Sequence, residues 1–341
     1  MLLPFHHTAP ICGGSMVYFD ANEKPKFEKL KPKTVLGSFE TGFQICTHQD
    51  ATRDDGSFPF LWVSGNPTKL FQGHNLWGTN DLHGLVIETY DFLSRVLPGH
   101  TTTDFDRHLV KTGAVQLQRV DINESFHLDS LADCRTWIRS AENSARMKHR
   151  GRGVMKEGTL YFGIKSERWA TKIYAKGQEV REHGTSKQPG IFGLEHCLQY
   201  ADKSLRIEHV LRAKELKRLG LDLAANWADN TAQELHHELL QKLEFAEAMT
   251  MTPATLEELS GALQGAYSLW KEGHDLRQVY SRPTFYRYRA KLLEHGIDIS
   301  IQQQGKPDNV VPLVRILEAR PVGVPDWAFG TNLYFEPRRF A

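Results

Sequence analysis

The 341-residue chain is 40% apolar and 24% charged, so it can bury an ordinary globular core, and its length favours two domains. Its 42 Lys and Arg residues are balanced by 41 Asp and Glu residues, a formal net charge of +1, so a nucleic-acid-binding surface requires local segregation of charge. Four widely separated cysteines argue against a disulfide framework and against a zinc site. With neither a signal-peptide start nor a run of about 18 apolar residues, we expect a cytoplasmic protein without membrane contact.

Up to about residue 225, strand-like and helix-like patterns are mixed. A strand-like run, "FPFLWVSG", precedes the polar, glycine-containing stretch "KLFQGHNLWGTNDL", and a helix pattern and a strand pattern follow in "DLHGLVIETYDFLSRVL" and "GAVQLQRVDINESF". The segment "TLYFGIKSERWATKIYAKGQEV" predicts a β-hairpin around a polar turn. The next segment, "SLRIEHVLRAKELKRLGL", begins as an alternating strand and ends as a helix that stops near Gly220.

From about residue 226 the pattern becomes helical. Apolar residues recur at helical spacing in "NTAQELHHELLQKLEFAEAM", and a second helix pattern runs from a capping Thr252-Pro253 pair to Gly273. A third begins with Ser281 as its N-cap and ends at Gly296. We therefore predict an α+β protein, in which an antiparallel-sheet domain spans residues 1–225 and a helical domain spans residues 226–341.

Three of the predicted strands each place charged or polar residues on one side. Strand alternation groups these residues as Arg119, Asp121 and Asn123, then Lys172, Tyr174 and Lys176, then Arg206, Glu208, Val210 and Arg212. A solvated sheet face with cross-strand ion pairs would explain this pattern. A site that holds a divalent cation would explain it as well.

Carboxylates gathered around one point are ligands for Mg²⁺ or Mn²⁺, and the candidates here are Asp121, Glu179 and Glu208. A tyrosine beside such an ion is a candidate nucleophile, because a cation and a neighbouring lysine both favour the phenolate. Tyr174 meets that description. Lys176, expected two residues further along the same strand face, would bind a phosphate or a leaving oxygen.

Five segments resemble successive motifs of the gene II/X replication initiators of filamentous phages and related plasmids. These segments, in family order, are "NPTKLFQGHNLWGTNDL", "LQRVDIN", "EGTLYFGIKSERWATKIYAKGQE", "LRIEHVLRAKELKRLGL" and "DNVVPLVRILEARPVGVPDW". They extend from about residue 60 to residue 327, and the first fifty residues match poorly. The resemblance implies a metal-dependent nickase and ligase that starts rolling-circle replication and keeps the 5′ phosphate as a tyrosyl ester.

The resemblance assigns the nucleophile to Tyr174, and Asp121, Glu179 and Glu208 match acidic positions of related initiators. The His-hydrophobic-His metal motif of the wider superfamily is not found in this sequence. A histidine ligand, His74 or His127, therefore stays open.

The "KLFQGHNLWGTNDL" stretch offers Lys69, Gln72, His74 and Asn75 as contacts to phosphates or extruded bases. The alternative is a buried loop in which Asn75 and Asn80 satisfy backbone groups. The resemblance favours a DNA or active-site role. On the predicted sheet, Arg119, Arg206 and Arg212 are further candidate DNA contacts.

In the helical domain, basic and aromatic residues interleave on the helix that follows a short connection. The candidate DNA contacts there are Arg282, Tyr286, Arg287, Arg289 and Lys291. This arrangement is typical of a helix-turn-helix reader of the major groove. A helical bundle whose basic residues are solvated or paired with acids is the alternative.

The prediction is therefore a rolling-circle replication initiator that nicks and rejoins origin DNA in a bacterial cytoplasm. The resemblance implies a host helicase, single-strand-binding protein and polymerase as partners. A catalytically silent DNA-binding regulator on the same scaffold is the main alternative. An ordinary metal-dependent phosphodiesterase, which forms no covalent adduct, is another.

Overall fold

The computed structural model describes residues 1–97, 99, 102–245, 256, 259–295, 297–300 and 321–338. The predicted helix start at Thr252-Pro253, the predicted helix end at Gly296 and most of the "DNVVPLVRILEARPVGVPDW" motif lie outside these residues.

The strands of the described chain form four antiparallel sheets. They are β1 Leu2–His7, β2 Ser15–Phe19, β3 Pro25–Leu30, β4 Lys33–Leu36, β5 Gly42–Thr47, β6 Phe58–Ser64, β7 Arg119–His127, β8 Ala145–Met147, β9 Gly151–Arg152, β10 Val154–Lys156, β11 Thr159–Phe162, β12 Trp169–Ala175, β13 Ser204–Arg212 and β14 Leu243–Phe245. The sheet orders are β1-β6-β5-β4, β10-β11-β12-β13-β7, β14-β8-β9 and β2-β3.

Helices surround these sheets. They are α1 Pro67–Gln72, α2 Leu82–Val96, α3 Asp104–Lys111, α4 Leu131–Ser144, α5 Lys176–Lys187, α6 Glu195–Lys203, α7 Ala213–Leu219, α8 Thr231–Leu240, α9 Gly261–Lys271, α10 Leu276–Val279 and α11 Arg282–Leu293. Short 3₁₀ turns lie at Gln49–Ala51, Pro189–Ile191, Ala224–Asn226 and Asp326–Ala328. No helix in the described ranges is long and apolar enough to cross a membrane.

The five-stranded sheet confirms the predicted hairpin and the predicted shared face. Strands β12, β13 and β7 are neighbours, and their register sets Tyr174 opposite Arg206 and Asp121 opposite Val210. Alternate residues, such as Ile173 and Ile207, are fully buried on the other face, where α4 packs. The α+β fold class is therefore confirmed.

The predicted end of the strand-then-helix segment is also confirmed. Helix α7 follows β13 directly and stops at Gly220, whose φ of 69° lies in the left-handed region that favours glycine.

The predicted domain boundary near Ala225 differs from the packing. Helix α8 packs on β7, strand β14 pairs with β8, and Leu239 and Leu243 belong to the same core as the central sheet. Residues 321–338 also return to the N-terminal part, where Ala328 and Leu333 pack beside Trp77. Because burial and strand pairing continue past Ala225, the sheet domain includes residues assigned above to the second domain.

Residues 259–295 and 297–299 contribute a core of their own, which we call the helical unit. Helices α9, α10 and α11 surround Leu263, Trp270, Phe285 and Leu292, all nearly fully buried. The short connection predicted between the two helices contains a further short helix, α10. Ser281 occupies the N-cap position of α11, as predicted.

Candidate active site

Tyr174 lies one residue before the end of β12, on the polar face of the sheet. Its hydroxyl donates a hydrogen bond of 3.3 Å to Oε2 of Glu208 on the adjacent strand. Burial of the phenol and the charge of Glu208 raise the pKa of Tyr174 well above its usual value. An unassisted Tyr174 is therefore protonated at neutral pH.

The predicted carboxylate ligands Glu208 and Asp121 face the same side of the sheet, and each has a cationic partner. Glu208 accepts a hydrogen bond from Lys172, directly opposite it in the register. Asp121 accepts two hydrogen bonds from Arg119, at 2.7 and 2.6 Å, so Arg119 is ion-paired on the exposed sheet face. A ligand that binds either carboxylate would have to displace or share these cations.

Lys176 is not on the strand face, which corrects the prediction. Strand β12 ends at Ala175 and Lys176 opens helix α5, so its side chain leaves the alternation and is fully buried. Its Nζ donates to Oδ1 of Asn75 at 2.8 Å and to Oε2 of Glu179 at 2.6 Å. Burial, with a smaller contribution from the charge of Arg206, lowers the pKa of Lys176 to about 7.

Glu179, the third predicted metal ligand, lies in the first turn of α5. Its Oε2 accepts a hydrogen bond from Gln188 at 2.8 Å in addition to that from Lys176. Burial alone would raise the pKa of Glu179, but the charge and hydrogen bond of Lys176, together with the charges of Lys69 and Arg206, outweigh burial and lower it. In this structure Glu179 compensates a buried lysine, a role distinct from that of a metal ligand.

These side chains converge on one open cavity of about 420 Å³. Seven of the predicted site residues line it, namely Lys69, Asn75, Asp121, Tyr174, Glu179, Arg206 and Glu208. Strand alternation places Lys172 and Asn123 on this face, where no role was predicted for them, and both line the cavity as well. Strand alternation was the signal that could have included them. Lys172 and Asn123 directly flank Glu208 in the register.

No group of three or more His, Cys, Asp or Glu side chains close enough to hold a metal ion occurs among the described residues. Oxygen donors do border the cavity, from Asp121, Asn123 and Glu208. Mg²⁺ usually keeps several waters and uses one or two carboxylates together with substrate phosphates. The oxygen atoms of Asp121, Asn123 and Glu208 are therefore the type of ligand that such an ion binds.

Gln72 and His74 are buried, which corrects the expectation that they contact DNA. Gln72 donates to the carbonyl of Trp77 at 3.0 Å and accepts from the amide of Phe335 at 2.9 Å. His74 Nε2 bonds the carbonyl of Leu333 at 2.9 Å, and burial lowers its pKa to about 4. Both side chains hold the C-terminal segment in place, and His74 is not free to bind a metal.

Asn75 and Arg206 connect this loop to the sheet. Arg206 is 2% exposed, and its guanidinium donates to Oγ of Ser125 and to the backbone carbonyls of Asn75 and Leu76. Arg206 therefore positions the loop as well as lining the cavity. Of the remaining predicted DNA contacts on the sheet, Arg212 donates to the carbonyl of Ser166.

The candidate DNA contacts of α11 separate into two groups. Those with exposed side chains are Arg282, Tyr286, Arg287 and Lys291. Arg289 instead makes a two-point ion pair with Asp298, at 2.7 and 2.8 Å, and Asp298 also pairs with Arg146 of β8 at 2.9 Å. Both guanidinium nitrogens of this ion pair donate to Asp298. Arg289 is therefore paired with an acidic residue, as in the alternative interpretation of the helix.

Two family models match the chain, and both describe a replication-associated protein, the gene II product. The model of the N-terminal part matches residues 1–230, and the model of the C-terminal part matches residues 251–334. The chain belongs to the gene II family of replication-associated proteins. The N-terminal match starts at residue 1, so the first fifty residues, which match the family's motifs poorly, are nevertheless included in it.

A full-length relative supports the same assignment. The gene II replication-associated protein of Enterobacteria phage I2-2 is 34% identical over 345 residues, covering 99% of this chain and 97% of the relative. No solved structure matches the chain. The family resemblance predicted from the sequence is thus confirmed.

Proposed function

We propose that this protein initiates rolling-circle replication by nicking and rejoining one strand of origin DNA, with Tyr174 as the nucleophile. The observation that carries the proposal is the hydrogen bond of Tyr174 to Glu208 in a cavity whose lining combines cations with carboxylates. The cations are Lys69, Lys172 and Arg206, and the carboxylates are Asp121, Glu157, Glu179, Glu182 and Glu208. The cations suit a phosphodiester backbone, and a divalent cation held by the carboxylates would offset their charge. The initiator role agrees with the family membership and the phage relative.

The chemistry assigns a task to each group. Tyr174 Oη bonds to phosphorus, the bond from phosphorus to the 3′ oxygen breaks, and that oxygen leaves as a hydroxyl after taking a proton from solvent water. Glu208, already the acceptor of the phenolic hydrogen bond, receives the proton of Tyr174. The tyrosyl ester conserves the energy of the broken bond, so a later 3′ hydroxyl can reverse the step.

A divalent cation, Mg²⁺ or Mn²⁺, would polarise the phosphate and neutralise its developing charge. Asp121 and Glu208 would hold it, together with the amide oxygen of Asn123. Lys172 and Arg119 keep these carboxylates neutralised before DNA arrives.

Origin recognition is assigned to the helical unit, whose exposed Arg282, Tyr286, Arg287 and Lys291 would contact duplex DNA in the manner of a helix-turn-helix protein. A host helicase, single-strand-binding protein and polymerase would then extend the freed 3′ end in the bacterial cytoplasm. The resemblance to gene II/X initiators supports these partners.

The test is adduct formation. Full-length protein is incubated with Mg²⁺ or Mn²⁺ and overlapping labelled strands that cover the replicon's origin, and a denaturing gel is run. We expect a covalent protein–DNA band that Tyr174→Phe abolishes, since only the phenolic oxygen is lost. Tyr161→Phe is the matched control, because Tyr161 lines the same cavity from β11.

The outcomes separate the alternatives. An adduct that persists in Tyr174→Phe overturns the choice of nucleophile. Cleavage without any adduct indicates an ordinary phosphodiesterase. Origin binding without cleavage indicates a catalytically silent regulator.

A further inference from the structure

A second cavity, of about 720 Å³, adjoins the one that contains Tyr174. Asn66, Asn75, Asp121 and Asn123 line both cavities. The second lies between β6, β7, α2 and α8, and its volume is within the range that protein sites use for small organic ligands, about 300–1,000 Å³. A nucleotide bound at Tyr174 would therefore have its neighbour at the entrance of this second cavity.

The lining combines an apolar interior with side-chain amides. Leu85, Val86, Leu117, Ile122 and Trp227 supply buried apolar surface. The half-buried ring of Trp62 is also part of the wall. Six carboxamides complete it, from Asn66, Asn75, Asn80, Gln118, Asn123 and Gln233.

Several of these polar groups have hydrogen-bonding capacity to spare. Within the described part of the chain, the solvent-exposed side chains of Asn80, Asn123 and Gln233 make no hydrogen bond to the protein. His236, 1% exposed, also lines the cavity, and its buried Nδ1 makes no hydrogen bond of good geometry there, although Oε2 of Glu124 lies 3.3 Å away. A buried polar atom in this state costs free energy unless a ligand or water satisfies it.

The charges of the cavity do not suit a phosphate. Arg119 is paired with Asp121, and the α-amino group of Met1 donates to the carbonyl of Val63 at 2.8 Å. Glu124 adds a carboxylate, 3.3 Å from Nδ1 of His236. Amides beside apolar and aromatic surface suit instead a flat, neutral group with mixed donors and acceptors, which describes a nucleobase.

We propose that this cavity binds one unpaired nucleobase of the nicked strand, next to the phosphate that Tyr174 attacks. The base is inserted with its face against Trp62 and its edge toward the amides of Asn123 and Gln233. This inference rests on the proposed nicking function and adds to it a means of selecting the cut position. Extruding a base for recognition costs a few kcal/mol, least where the strand is already single.

The experiment measures binding, so it does not depend on whether the protein cuts. Full-length Tyr174→Phe is titrated with overlapping 12-nucleotide single strands that cover the replicon's origin. In the strand that binds most tightly, each base is replaced in turn by an abasic site. We expect one position at which base removal weakens binding about 5- to 150-fold, the range that one stacked base supplies, while the other positions change less than about threefold.

Variants of the lining then locate that base. In Trp62→Ala and in Gln233→Leu, the intact and abasic strands should bind within about twofold of each other, because the site that distinguishes them is damaged. Gln233 is exposed on α8, so its substitution tests the site even if Trp62→Ala fails to fold. The matched control is Gln199→Leu, an exposed glutamine on α6 outside both cavities, which should keep the full abasic penalty.

Two results would overturn the proposal. One is an abasic scan with no sensitive position. The other is a sensitive position whose penalty survives in folded Trp62→Ala and Gln233→Leu. The adduct test can fail while the loss of affinity at one abasic position, and its dependence on Gln233, are observed. In that case the base-binding site is supported and the nicking function is not.

Discussion

The polar face of the central sheet and the basic helix α11 both carry the charge pattern of a DNA-binding surface, but the structure uses their charges differently. On the sheet, Tyr174, Glu208 and Arg206 from two paired strands meet in one cavity. On α11, Arg289 is paired with Asp298, while Arg287 remains on the exposed side. Strand register brings side chains together over long sequence distances, whereas the role of a helical arginine depends on what packs against its face.

The largest expected effect concerns Arg206. Arg206→Met removes a buried guanidinium that holds two backbone carbonyls and Ser125, and we expect a loss of about 3 kcal/mol or more in the free energy of unfolding. Arg287→Met, its counterpart on the exposed side of α11, should change stability by less than about 0.5 kcal/mol. Urea denaturation measures both. If both substitutions lower the free energy of unfolding by the same amount, buried Arg206 does not stabilise the protein more than exposed Arg287.

Asp298 provides the next effect, through pH. Burial alone would raise its pKa, but hydrogen bonds from Arg289 and Ser300 outweigh burial and lower the pKa from 3.8 to about 2. The carboxylate therefore contributes stability above pH 3.8, and this contribution is lost as the pH falls through about 2. We expect about 2 kcal/mol for it, so wild-type protein and Asp298→Asn should converge in unfolding free energy at acidic pH.

The exposed Asp229→Asn is the control, and it should run parallel to wild type. If wild-type protein and Asp298→Asn differ by the same free energy of unfolding at every pH from 6 to 2, the ion pair with Arg289 does not stabilise the protein. The buried side of α11 would then not differ from its exposed side in the way proposed.

Metal dependence sharpens the assignment on the sheet. Asp121→Asn and Glu208→Gln should each raise the Mg²⁺ concentration for half-maximal adduct formation by about tenfold or more, because an amide keeps the shape but loses the charge. Glu179→Gln should leave that concentration unchanged, since Glu179 compensates Lys176. Glu157→Gln is the control from the same cavity. A Mg²⁺ requirement shifted only by Glu179→Gln would restore Glu179 as the ligand.

The smallest effect is expected on α11. If Arg287 contacts a phosphate, Arg287→Met should reduce the slope of log affinity for origin duplex against log salt by about one unit. Arg289→Met should leave the slope unchanged while lowering stability. A slope that falls equally in both variants would show that Arg289 leaves Asp298 to contact DNA.

Much of the candidate site could be predicted from local pattern. Period-two alternation identified the shared face, because one side of each strand is apolar and the other polar. The position of Lys176 could not be predicted in this way, since the strand ends one residue earlier and the chain turns into α5. The burial of Gln72 and His74 was equally inaccessible, because their partners Phe335 and Leu333 lie more than 250 residues away in sequence. Patterns report periodicity, whereas these assignments depended on where an element ends or on a distant contact.

The return of residues 321–338 to the sheet domain also bears on the order of events during synthesis. Gln72 and His74 are made early, but Leu333 and Phe335 leave the ribosome only after the whole helical unit. The loop that carries Asn75, and with it the support of Lys176, is therefore completed last. A nascent chain that stops before residue 321 would lack this support, so the helical unit is synthesised before the proposed active site is complete.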